Sequence, residues 1–314
     1  MIVYIVKRLL FLIPTVLGVT LIIFIVMNIT PGDPARALLG ASASQESVDQ
    51  LNHELGYDQP FLTKYVNYLE RIVVKQDFGT SYFTKQPVIK EIWPRFKITV
   101  LLSLIGVLLS VLIGVPLGVL TAVKQYSLLD SIPSLFAFLF AAIPSFVIGM
   151  VMLYYFSLTL NWLPSYFRDV SLKYMIMPAF TIAIPTAAQN LRFTKSSMLE
   201  EIRQDYARTV RAKGATEQHI IWKHVLKNAL LPVITNIGMS LGMFIAGAVV
   251  AERLFAIPGI GSLIVDRISS KDEPVIIAGT ILISITFTVI MLIMDLVYAY
   301  IDPRIRAKYA KLKA

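Results

Sequence analysis

Leu199-Glu200-Glu201-Ile202-Arg203-Gln204-Asp205-Tyr206-Ala207-Arg208-Thr209-Val210-Arg211-Ala212-Lys213-Gly214-Ala215-Thr216-Glu217 is a hydrophilic run set between apolar segments. Leu199, Ile202, Tyr206 and Val210 recur at intervals of three and four, which predicts a helix over 199–212 with one apolar and one largely charged face. Lys213 and Gly214 then supply a basic last turn and a residue that tolerates positive φ, and Thr216 with Glu217 can cap a following helix. A sharp corner at 213–216 results. The second helix carries Ile220, Ile221, Val225, Leu226 and Leu230 on its buried side, and Leu231-Pro232 leads back into apolar sequence. A charged helix, corner and helix inside an apolar chain reads as the place where this protein meets a partner.

Working outward, the 314 residues are 56% hydrophobic and 16% charged. Soluble domains are about 45–50% apolar and about 25% charged, so the fold class is an all-α polytopic membrane protein. Without cysteine, disulfides and thiolate metal sites are excluded. Crossing a hydrocarbon core of about 30 Å takes about 20 apolar residues. Six transmembrane helices are expected, at about 9–29, 98–123, 132–158, 175–191, 230–251 and 275–299. The first is read as retained, because Thr30-Pro31-Gly32-Asp33-Pro34 offers no small-x-small cleavage site.

The net charge of +9 sits beside the hydrophobic spans, as orientation in a membrane requires, so no nucleic acid partner is expected. With the N-terminus inside, the inner segments hold sixteen Lys and Arg against five in the two short outer loops. Both N and C termini are therefore expected to be cytoplasmic. Residues 1–29 form the N-terminus and first span, 30–97 an extracytoplasmic loop domain, 98–301 a five-helix core containing a cytoplasmic loop at 192–228, and 302–314 a basic cytoplasmic tail. Within 30–97, two short amphipathic helices are expected, one with Val48, Leu51 and Leu55, the other with Leu62, Tyr65, Val66, Leu69, Ile72 and Val73 on its apolar side. They form either a structural cap or a docking site for an outer partner.

Gly106, Ser110, Gly114 and Gly118 repeat every four residues, as do Gly238, Gly242 and Ala246. Such stripes let helices approach closely in lipid, either within one bundle or against a second subunit. Pro116, Pro144, Pro178 and Pro185 imply bent or broken spans. Pro258-Gly259 suits the centre of a type II turn near the outer surface.

The chain has no phosphate-binding Gly-x-x-x-x-Gly-Lys-Ser/Thr loop, so energy for pumping has to come from another chain. Spans two to five lack the ionisable residues that a proton- or sodium-driven carrier keeps at mid-membrane. Asp295 lies near the inner end of span six. His219 and His224 are five apart, off the shared face of a helical metal pair, and no nucleophile elbow is present. Neither a metal site nor catalytic residues are expected.

Several segments together carry a resemblance. Arg208-Thr209-Val210-Arg211-Ala212-Lys213-Gly214-Ala215, continuing to Asn228-Ala229-Leu230-Leu231-Pro232, resembles the EAA cytoplasmic loop of ABC importer permeases in its dipeptide, oligopeptide and nickel form. Arg208 stands where the wider family has Glu. Pro31-Gly32-Asp33-Pro34, Asp77-Phe78-Gly79-Thr80-Ser81 and Asp302-Pro303-Arg304-Ile305-Arg306 are similar to other signatures of that branch, as is the outer-loop set Glu252, Phe255, Pro258, Gly259 and Gly261. The resemblance implies a type I ABC importer permease fold in the cytoplasmic membrane. It also implies a second homologous permease, two ABC ATPase subunits carrying ATP and Mg, an extracytoplasmic solute-binding protein, and no cofactor on this chain. Arg203, Arg208, Arg211, Ala212, Lys213, Gly214, Ala215, Thr216 and Glu217 become the expected ATPase-coupling residues, with the basic ones meeting acidic groups on the ATPase. The implied function is import of peptides or similar small solutes by alternating access; the alternative is a carrier or channel uncoupled from an ATPase.

Overall fold

The computed structural model describes residues 2–30 and 32–301. In chain order the helices are α1 (Ile2–Ile29), α2 (Pro34–Leu39), α3 (Gln45–Glu54), α4 (Phe61–Lys75), α5 (Val88–Val123), α6 (Leu128–Ala142) and α7 (Ser145–Met152), the last running into a π-helical turn at Leu153–Thr159. Then come α8 (Leu172–Ile202), α9 (Asp205–Ala212), α10 (Glu217–His219), a second π turn at Ile220–Val225, α11 (Leu226–Gly247), α12 (Val249–Leu254), α13 (Ile260–Ser269) and α14 (Glu273–Ile301). Helices α2 and α3 start where the sequence supplies caps. Asp33 accepts from the Arg36 amide at 3.1 Å, and Ser44 accepts from that of Ser47 at 3.2 Å.

Among the described residues four helices are long and apolar enough to cross a membrane: Leu10–Ile29, Val88–Val123, Glu217–Ala246 and Glu273–Val297. The expected third span is Leu128–Ala142 plus Ser145–Thr159, bent by 102° at a break where Pro144 caps the second half. The expected fourth span falls inside α8, which is long but not comparably apolar. Thr181, Thr186, Asn190 and Thr194 are buried along it, and it packs against α6, α7 and α11. A helix surrounded by protein can carry polar side chains that a lipid-facing helix cannot.

The chain divides into two units. The first comprises residues 6–99 and 258–288. In it Phe24, Tyr68, Ile277 and Ile281 form a core joined by Val16, Phe61, Tyr65 and Ile72, and Phe24 meets Tyr65 edge to face at 5.3 Å. Helix α4 buries Tyr68 and packs Phe61, Tyr65 and Ile72 beside it; Tyr65 and Ile72 are as expected, whereas Leu62, Val66 and Val73 are exposed, a correction to that part of the expected apolar side. The aromatic bodies of Phe61 and Tyr68 supply the contact that was expected of Leu62, Val66 and Val73. A second core joins Val88 and Ile92 to Ile260, Leu263, Val275 and Ala278.

Three consecutive charges, Lys271, Asp272 and Glu273, are buried in this unit and tie its first loop down. The Lys271 ammonium donates to the carbonyls of Thr30 at 2.5 Å and Gly32 at 2.8 Å, and burial lowers its pKa. Asp272 accepts from the Ser81 hydroxyl at 2.5 Å and the Tyr82 amide at 2.9 Å, with Arg267 Nε 3.7 Å away. Glu273 accepts from the Tyr57 hydroxyl, and Arg267 also pairs with Glu91. Two of the sequence signatures, around Gly32–Asp33 and Asp77–Ser81, are therefore anchored by one charged triplet. Pairing and hydrogen bonding make such burial tolerable.

The second unit is built on residues 100–257 with 289–301. Its polar links run between helices: Asn236 donates to Asn190 at 2.9 Å, Asn190 donates to Ser110 at 3.2 Å, and Lys195 on α8 pairs with Asp130 on α6.

Candidate functional site

The hydrophilic run forms a corner in the second unit, but the expected single helix over 199–212 is two. Helix α8 ends at Ile202, Arg203 and Gln204 break it, and α9 restarts at Asp205 with Gln204 extended at φ −65°, ψ 152°. The apolar face survives the break because α9 re-enters the same cluster. Val119, Ala122, Met198, Ala207, Ile220, Ile221, Val225 and Ala229 are buried together, with Leu199, Ile202, Tyr206, Val210, Ala215 and Leu226 packed against them. The corner is thereby fastened to the ends of α5 and α8. Tyr206 donates to Glu201 at 2.6 Å; burial, then that carboxylate, push its pKa up to about 12, so the hydroxyl stays a donor.

At the apex Gly214 has φ 86°, and a Cβ built there meets nothing within 4 Å. The left-handed φ favours glycine, and the open space around it leaves the apex surface clear. Thr216 accepts from the His219 amide at 3.4 Å and opens the next helix. Lys213, Thr216 and Glu217 are exposed, as is Ala212, and Ala215 is half-buried.

The four basic residues are not equivalent. Arg211 reaches across the corner to Glu217, with Nη2 to Oε2 at 3.0 Å, and Arg208 lies 3.7 Å from Asp205. Arg203 follows α8 as its C-terminal cap and is exposed. Exposed pairs of this kind contribute little to stability. The apolar underside therefore holds the corner, which leaves its charges at the surface.

In the outer-loop set, Glu252 and Phe255 are buried, and the Phe255 carbonyl accepts from the Phe167 amide at 2.8 Å. Pro258 is half-buried, while Gly259 and Gly261 are buried. The expected type II turn is absent. Gly259 is extended at φ −91°, ψ 173° as the residue that opens α13, and the left-handed position falls on Ala256 at φ 53°. Burial and helix initiation dictate the backbone here, not chain reversal at a surface.

The first small-residue stripe faces α8. A Cβ at Gly114 would lie 2.5 Å from the Ala187 carbonyl oxygen, and one at Gly118 2.7 Å from that of Leu191 and 2.6 Å from Thr194 Cβ. At Gly106 it would meet the tip of Ile182 at 2.6 Å, while Ser110 accepts from Asn190. Gly238 faces Met294, and Gly242 is buried. Asp295 is half-buried in α14, and the 302–306 signature lies outside the described residues.

Sequence reasoning missed Asp130, Asn190, Lys195 and Asn236 in the second unit and Lys271–Glu273 in the first. Isolated polar residues within apolar helices were the available signal for Asn190 and Asn236. Among the described residues no group of three or more His, Cys, Asp or Glu could hold a metal ion.

The chain belongs to the family of binding-protein-dependent transport system inner membrane components, whose model matches residues 114–307, with the family's N-terminal membrane component matching 1–103. Over 305 residues it is 37% identical to the glutathione transport system permease protein GsiC of Escherichia coli (strain K12), covering 97% of this chain and 99% of the relative. Over 333 residues it is 35% identical to the dipeptide transport system permease protein DppB of Alkalihalophilus pseudofirmus, covering 98% and 100%. Among solved structures, the MetNI methionine ABC transporter in its inward-facing conformations matches with a TM-score of 0.56 at 17% identity, over 68% of this chain and 97% of that one, a likeness of fold. The chain is accordingly an inner-membrane permease component of an ABC importer of the peptide group.

Proposed function

We propose that this chain is one of two homologous permeases that carry peptides, glutathione-like peptides included, across the membrane by alternating access. Two ATPase subunits holding ATP and Mg drive it, and an outer solute-binding protein delivers the solute. The observation that supports this most is the corner at 213–216: an exposed apex with an open left-handed glycine, seated on an apolar cluster that includes α5 and α8. A push on the apex is transmitted to those helices because a close-packed underside moves as a block. Both termini and the corner are cytoplasmic in this reading, and the 30–97 loop is outside.

Two measurements test it. The chain lacks cysteine, so single Lys213→Cys and Thr80→Cys variants report sidedness to a membrane-impermeant maleimide; the first is expected to label only from the cytoplasmic side and the second only from outside. Proteoliposomes holding the purified complex and the binding protein are expected to take up dipeptide only with ATP. Flux through the chain alone without ATP would replace the importer with a carrier or channel.

A further inference from the structure

The first unit holds a cavity of about 330 Å³ apart from the corner, walled by Tyr57, Tyr68, Lys64, Arg71, Phe78 and Glu273 among others. Its volume is at the lower end of small-molecule sites, about 300–1,000 Å³. Its chemistry is mixed in a specific way. Of its two carboxylates, Glu54 is exposed, whereas Glu273 is 8% exposed and accepts from the Tyr57 hydroxyl. Two cations stand on the α4 side: Lys64, whose ammonium lies 4.3 Å over the Tyr57 ring, and Arg71, paired with Asp77 at 3.2 Å and half-exposed. Tyr68 is 9% exposed, and its buried hydroxyl has no hydrogen-bond partner.

A buried donor without a partner is rare in folded proteins, and in the wall of a cavity it marks a place for a ligand acceptor. Aromatic rings around a carboxylate suit an ammonium group, by charge and by the negative faces of the rings. Two cations and a hydroxyl without a partner in the same wall suit a carboxylate. We infer that this cavity binds a small zwitterion of the amino acid or dipeptide class, its carboxylate toward Lys64, Arg71 and Tyr68 and its ammonium toward Glu273. The inference deepens the peptide-import reading and rests on it for the statement that the cavity opens to the outside, but the binding itself needs neither ATP nor a partner.

The test uses the full chain in lipid nanodiscs, with radiolabelled Ala-Ala as probe in equilibrium dialysis. Saturable binding is expected. N-acetyl-Ala-Ala and Ala-Ala-amide are each expected to compete at least tenfold more weakly than Ala-Ala, since each removes one charge. Tyr68→Phe and Lys64→Met are expected to weaken binding about tenfold each, the scale of one hydrogen bond to a charged group. Both sit at the cavity wall and leave the Tyr57–Glu273 bond intact, and an unchanged melting temperature shows that the fold is kept. Absence of saturable binding to the folded wild-type chain, or binding that none of these changes alters, overturns the proposal. The importer reading fails separately: Ala-Ala bound as expected in a chain that never recruits an ATPase leaves the cavity standing and removes the importer.

Discussion

The triplet Lys271-Asp272-Glu273 and the corner at 213–216 are both short, charged and placed between helices, yet they treat charge in opposite ways. In the triplet every charged group is buried and answered by a carbonyl, hydroxyl, amide or ion partner. At the corner Arg203, Arg208, Arg211, Lys213 and Glu217 are exposed, and apolar contacts underneath hold the backbone. Charge that is buried and paired fixes a structure, because removing one partner strands the other. Charge at the surface adds little to stability and stays available for recognition. The difference gives the triplet the holding of the first loop and leaves the corner's charges at the surface, where the proposed coupling to an ATPase needs them.

The largest effect that can break this contrast comes from Asp272→Ala. It strands Ser81, the Tyr82 amide and part of Arg267 in a buried setting and is expected to cost about 3–5 kcal/mol. Thermal unfolding in detergent, with proteolysis of the 30–97 segment as a local readout, checks this; an unchanged melting temperature would remove the triplet from its role. Ile220→Ala, under the corner, is expected to cost about 2–5 kcal/mol by leaving a cavity.

Gly118→Leu comes next. It drives a side chain into the α8 backbone at Leu191 and is expected to cost about 1–3 kcal/mol, whereas Gly106→Ala presses only the movable tip of Ile182 and is expected to cost less. Equal losses at the two glycines would show that the stripe does not pack on α8 as described. Gly214→Ala meets no neighbour, so only its left-handed φ matters, at about 1–2 kcal/mol. The smallest effect is expected from Arg211→Ala, which leaves the melting temperature unchanged while ATPase-coupled uptake falls.

The sequence made the corner legible because its signals are local: apolar spacing, a glycine after a basic residue, and a capping threonine. The break at Arg203–Gln204 was not legible, since neither residue is a breaker; only Asp205, acidic in a first turn, hinted at a new start. The triplet escaped for a different reason. Its partners, Thr30, Ser81 and Tyr57, are about 190 to 240 residues distant in sequence, and three charges beside a helix start look like a solvated loop until those partners arrive. Periodicity also erred in part on α4, where Tyr65 and Ile72 were read on the apolar side but Leu62, Val66 and Val73 were counted in place of Phe61 and Tyr68. Four spans and the bent one follow from apolar length and Pro144, but α8 could not be placed by apolarity because its neighbours, not lipid, cover it.

The central claim is that the corner recruits the ATPase while contributing little to the fold. The most direct measurement is co-purification from the native membrane, comparing wild type with Gly214→Asp and identifying every associated chain alongside the melting temperature. The account predicts a second permease and P-loop ATPases with wild type, loss of the ATPases alone from the variant, and a melting temperature lowered only slightly. ATPases retained by the Gly214→Asp variant, or a variant that loses the second permease as well because the chain has unfolded, would contradict it.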